Sequence, residues 1–179
     1  MTSRPRHAAV VALIAGATLA AGCSSDSNTP SDPKKPSTHQ QVTHTARSYL
    51  HAWMAVKPAD AKTMCSLESK ASRPNFDDDG GTLSGCVKER ADIGAQDNDT
   101  SRAPLEIKIS HMQAMPATDR HPAGKGVLAT LHRAGEDRFR YALRLVPEAK
   151  SWRVNQANDV SDRYDHTADP VAPVLTERQ

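Results

Sequence analysis

Aromatic residues are scarce in this chain: two tryptophans, three tyrosines and two phenylalanines among 179 residues. Hydrophobic residues make up 37%, part of them in one N-terminal run, so the core has to be small. No apolar run reaches the roughly 20 residues that a membrane-spanning helix needs. The N-terminal apolar run, Ala8–Ala20, is about 13 residues. No internal repeat is present, which argues against a solenoid or propeller. An excess of one charge is missing too. Two of the 23 basic residues, Arg4 and Arg6, lie in the first 22 positions, where none of the 21 acidic residues does, so the rest of the chain carries 21 of each sign. That balance removes the electrostatic case for nucleic-acid binding. Cysteine is limited to three.

What is present begins at the N-terminus. Arg4, Arg6 and His7 form a short positive region, Ala8–Ala20 follow without a charge, and small residues come next. This is the three-part layout of an export signal. Leu19-Ala20-Ala21-Gly22-Cys23 resembles the lipobox of bacterial lipoproteins. Ala20 stands where that family prefers leucine, with Leu19 one position upstream. The resemblance implies that the Cys23 thiol receives a diacylglyceryl group and that the chain is cut just before it. Two acyl chains on one residue suffice for stable attachment, whereas a single chain binds only marginally. Residues 24–37 are small, polar and proline-rich, a composition that behaves as a flexible tether. The expected organisation is a signal peptide over 1–22, a lipid-anchored tether over 23–37, a folded domain over 38–155 and a loose tail over 156–179. The expected location is the cell membrane, facing the extracytoplasmic side.

With Cys23 assigned to lipid, Cys65 and Cys86 remain as an even pair in a compartment where disulfides persist. They form neither a CxxC motif nor a zinc quartet, and a disulfide is the expected outcome. Closing a loop of that length stabilises by roughly 3 kcal/mol in the chain-entropy picture.

Thr38-His39-Gln40-Gln41 has the T-x-x-Q form of a capping box. Val42, Ala46, Tyr49, Leu50, Trp53 and Val56 then recur at helical spacing. Lys57-Pro58 ends that helix, and Pro58-Ala59-Asp60-Ala61 opens a shorter one ending near Ser69. A third helix is expected over Leu83–Asp92, with Leu83, Cys86, Val87 and Ala91 inward. Beyond the polar stretch 94–102 the apolar period falls to two. Strands are expected around Leu105–Ile109, Val127–Leu131, Phe139–Leu145 and Trp152–Val154. Helices followed by a strand meander make an α+β fold. The amphipathic first helix, the short Pro-Ala-Asp-Ala helix and the meander ending in Trp152-Arg153-Val154 resemble the NTF2-like superfamily. That resemblance implies a curved antiparallel sheet wrapped around the first helix as a cone with a pocket. A cystatin-like helix-on-sheet arrangement fits the same element order.

The candidate sites are few. Tyr49, Trp53, Phe139, Tyr141 and Trp152 are the aromatics expected to face a pocket, and His111, in phase with Leu105, Ile107 and Ile109, is the titratable group expected to point inward. Tyr49, Trp53, His111 and Tyr141 are therefore the candidate ligand-binding residues. His44 and His51, seven apart with His39 nearby, are spaced too widely for a metal pair on one helix and read as solvated. Asp77-Asp78-Asp79 are consecutive, unlike the alternating acids of a calcium loop. Ser84 lacks the first glycine of G-x-S-x-G, and Asn98-Asp99-Thr100 is a formal sequon that the lipobox makes moot. Arg138, Arg140 and Arg144 share one strand face and read as solvated outer positions, with a basic stripe for an anionic ligand as the alternative. No catalytic set, metal site or cofactor is expected. The favoured reading is a non-catalytic domain, tethered through the lipid on Cys23, that binds an envelope partner or a small ligand. The rivals are a small isomerase or hydrolase of the NTF2-like kind, using His111 or an unassigned pocket carboxylate, and a structural envelope protein.

Overall fold

The computed structural model describes residues 35–55, 58–73, 81–94, 105–164 and 166–177. Residues 1–22, Cys23, the tether up to residue 34, the Asp77–Asp79 run and the sequon at Asn98 lie outside the described residues. The helices are α1 (Thr38–Ala55), α2 (Pro58–Leu67), α3 (Leu83–Gly94) and α4 (Val171–Thr176), and the strands are β1 (Glu106–Met115), β2 (Gly124–His132), β3 (Phe139–Glu148) and β4 (Ser151–Asp159). The strands form one curved, unclosed antiparallel sheet in the order β1-β2-β3-β4. The fold is α+β.

The start of α1 differs by one residue from the expected capping box. Ser37, not Thr38, is the cap: the Gln40 backbone N–H donates to Ser37 Oγ at 3.2 Å, and the Ser37 N–H donates to Gln40 Oε1 at 2.8 Å. From α1, Val42, Ala46 and Leu50 pack on Val127, Leu131 and Leu143 of the sheet to form the main core. A disulfide joins Cys65 on α2 to Cys86 on α3, with Cα atoms 5.9 Å apart, as the cysteine count required. Leu83, expected inward on α3, is instead exposed.

β1 carries a bulge: Ser110 pairs with Leu128 and Gln113 with Gly126, so His111 and Met112 together oppose Val127. His111 takes up the irregularity with φ of 51°. One extra residue reverses the inward phase. Ile107 and Ile109 face the core, Met112 follows them, and His111 is exposed. The expectation of an inward His111 is thereby corrected.

The loose tail expected from residue 156 is corrected as well. β4 runs on to Asp159, and α4 docks on the opposite face of the sheet from α1. Val171, Val174 and Leu175 join Met115, Leu128 and Ala142 in a second buried cluster. The outer sheet face is thus a second core. Gly126 permits the docking, since a Cβ there would lie 2.6 Å from Val171 Cγ1 and 2.9 Å from the Met115 side chain. Arg144, expected on a solvated face, is 0% exposed. Its Nη1 donates to the carbonyls of Pro116 (2.8 Å) and Pro122 (3.1 Å), and its Nη2 to that of Leu175 (3.3 Å). Arg138 is exposed, while Arg140 donates to the Thr167 carbonyl, so no continuous basic stripe exists.

Candidate functional site

Tyr49 and Trp53 stand one turn apart on α1 and so share a face. Their ring centroids are 5.9 Å apart, and Trp53 meets Tyr141 of β3 edge-on at 5.0 Å. The three rings form a row that separates two openings. A larger one, about 500 Å³, is lined by Met54, Leu105, Leu131, Phe139 and Tyr141, with His132, Arg133 and Glu136 at its polar side. A smaller one, about 220 Å³, lies between the helices and edge strand β4, bordered by Tyr49, Trp53, Glu68, Arg90, Val154 and Gln156.

The smaller cleft holds a buried carboxylate beside a guanidinium. Glu68 ends the α2 turn, its N–H bonded to the Met64 carbonyl at 3.1 Å, and forms a single parallel bridge with Val154 on β4. The residue is 3% exposed. Its Oε1 accepts from the Tyr49 hydroxyl at 3.3 Å and from Arg90 Nη2 at 3.4 Å, and its Oε2 lies 3.4 Å from the Cys86 sulfur. Burial pushes the Glu68 pKa above the usual carboxylate value, against the opposing pull of Arg90 and the Tyr49 hydrogen bond. Burial and the neighbouring Glu68 charge likewise raise the Tyr49 hydroxyl pKa. On α3, the Arg90 side chain keeps 28% of its surface in solvent, and its Nε is buried without a partner. Gln156 Oε1 is a second buried atom without a partner.

Below the cleft, a bulge in β4 leaves Asn155 between the paired residues Val154 and Gln156. Asn155 Nδ2 donates to Ser69 Oγ at 3.0 Å, and its carbonyl oxygen lies 2.8 Å from His121 Nδ1. The bulge thus fixes the floor with a polar link from α2 to the β1–β2 connection.

Among the residues expected at a site, Tyr49 and Trp53 border the small cleft, while Tyr141 and Phe139 border the large one. Trp152 packs against the core, and His39, His44 and His51 lie on the exposed side of α1. Cys65, Glu68 and Cys86 bring their ligand-type atoms within 4.8 Å of one another. Both sulfurs are spent on the disulfide, so neither has a thiolate to offer a cation. Sequence patterning does not single out Glu68, Arg90 or Gln156. A signal for two of them exists nonetheless. Glu68 follows Cys65 by three residues and Arg90 follows Cys86 by four, so a disulfide between two helices places both beside it.

No family model, curated protein or solved structure matches this chain.

Proposed function

We propose that this chain is a membrane-anchored extracytoplasmic lipoprotein, held through lipid on Cys23, whose domain binds a small ligand without transforming it. The α1 helix against a curved four-stranded meander supports placing the domain among NTF2-like folds. The observation that carries the ligand-binding reading is the cleft beside β4, where a buried carboxylate, a partly exposed guanidinium and two aromatic rings meet in about 220 Å³.

The same geometry weighs against the catalytic alternative. A general base needs a free oxygen within hydrogen-bond reach of the proton it takes. Glu68 Oε1 already accepts from two donors, and its Oε2 is pressed against the disulfide. His111, the other candidate, faces away. Tyr49, with its raised pKa, is also a reluctant acid for stabilising an oxyanion.

Two experiments test the reading. Mass spectrometry of the chain recovered from membranes is expected to find Cys23 as the first residue, carrying diacylglyceryl, with Cys23→Ala abolishing the modification. An uncut chain, or an unmodified Cys23, overturns the anchor. A fragment screen followed by NMR shift mapping is expected to find ligands perturbing Tyr49, Trp53 and Gln156. A screen with no saturable ligand at those residues overturns the binding role.

A further inference from the structure

The chemistry of the small cleft restricts what can enter it. Two charges border it, and they are not equally reachable. Glu68 is 3% exposed, its Oε1 is covered by Tyr49 and Arg90, and its Oε2 is backed by the disulfide. An entering cation would meet Arg90 before it could reach that carboxylate. Arg90 is open in the opposite sense. Only its Nη2 is engaged, across a long 3.4 Å contact, and among the described residues nothing accepts a hydrogen bond from Nη1. Arg73, the other cation acting on Glu68 among the described residues, donates its Nε to the Cys65 carbonyl at 3.1 Å. The charge-bearing end of a ligand here is therefore an anion.

Size and charge narrow the class. A cleft of about 220 Å³ takes a small molecule or one residue-sized end of a larger one. Beside the charged end stand the Trp53 ring, Met64, Val154 and Ala157, which suit a short apolar body. One guanidinium balances a single negative charge once the carboxylate at its back is protonated, and its planar fork matches a carboxylate. A phosphate dianion would bring a second charge that nothing else in the cleft offsets.

A bound anion and an ionised Glu68 would then share one cation at close range, and like charges in a buried space cannot both persist. We propose that the cleft binds a small organic monocarboxylate on Arg90, and that Glu68 takes up one proton from solvent as the ligand enters. This deepens the binding role proposed above and rests on it. The direction in which burial already moves the Glu68 pKa agrees with it. The charged and titratable groups facing Glu68 are Tyr49 from α1, Arg90 from α3 and Arg73 after α2. From β4 comes Asn155, uncharged but in contact with the His121 ring, which serves as the control position below.

The test is calorimetric titration of the full chain in detergent with acetate, butyrate and benzoate, benzamide serving as the uncharged shape match of benzoate. Between about pH 7.5 and about pH 5.5, affinity for the best carboxylate is expected to rise about tenfold or more, with benzamide weak and pH-independent. Buffers of different ionisation enthalpy are expected to register close to one proton taken up. Glu68→Gln is expected to bind the carboxylate with the pH slope lost, and His121→Gln to keep the slope. Arg90→Gln is expected to lose about tenfold or more in carboxylate affinity. Arg90→Gln in the Glu68→Gln background repeats that comparison without leaving a buried charge unpaired. Benzamide binding as tightly as benzoate, inorganic phosphate matching it, or no carboxylate binding at all would each overturn the proposal. A pH slope surviving in Glu68→Gln would remove the proton-uptake step. Fragments that bind the cleft without a carboxylate would leave the broader binding role standing while this inference fell.

Discussion

At the scale of single residues, Glu68 is a buried carboxylate whose surroundings alter its ionisation. Its pKa in the fold lies above the 4.5 of an ordinary glutamate, because burial outweighs the help from Arg90 and Tyr49. The folded state therefore holds this proton more tightly than the unfolded one. Its contribution to stability is present in full below that ordinary value and is lost as pH rises through the folded pKa. Denaturant titrations at about pH 5 and about pH 7.5 are expected to show wild-type stability falling more between the two conditions than that of Glu68→Gln. Parallel curves for the two proteins would contradict the raised value. Arg144 is the second instructive residue. It alternates correctly with Phe139, Tyr141 and Leu143, so period-two patterning assigns it to the right face. Whether that face is wet depends on α4, which alternation within one strand does not encode.

At the scale of elements, the β3–β4 hairpin turns on two residues, Ala149 and Lys150, with φ of 47° and 74°. Two positive values suit a type I′ turn, for which Asn-Gly is the preferred pair and alanine and lysine are poor. The double substitution Ala149→Asn with Lys150→Gly is expected to raise stability by about 1 kcal/mol, measured by chemical denaturation. No gain would mean that the turn relaxes away from this geometry. The docking of α4 allows a paired test. Gly126→Ala forces a methyl group against Val171 and is expected to cost about 1–3 kcal/mol. Adding Val171→Ala is expected to recover part of that loss, a coupling that independent sites would not show. The elements themselves were largely legible: the first two helices follow from apolar spacing and Pro58, and the four strands from period-two patterns. Less legible were the irregularities. A bulge inserts one residue without a local signature here, and such insertions turn His111 outward in β1 and free Asn155 for the cleft floor in β4. The Glu68–Arg90 pair required the disulfide to be used as a ruler between helices.

At the scale of the whole molecule, the sheet separates two cores of unequal size, and the smaller depends on six residues of helix near the end of the chain. Removing residues 170–179 uncovers Leu128 and Ala142, takes Val171, Val174 and Leu175 away, and strips Arg144 of one of its carbonyls. At about 2 kcal/mol for each buried aliphatic side chain, the loss is on the order of 5 kcal/mol, a large share of a domain's typical stability. Calorimetry of the truncated chain is expected to show either a strongly lowered melting temperature or no cooperative transition, and an unchanged Tm would return this segment to the status of a tail. The position of α4 also bears on timing. A polypeptide made from its N-terminus offers the whole sheet before the helix that roofs its far side. Until Leu175 arrives, Arg144 sits on a half-dry surface with one donor idle and a cluster of aliphatic side chains open to water. The second core is thus completed only when the last of the four described helices is in place.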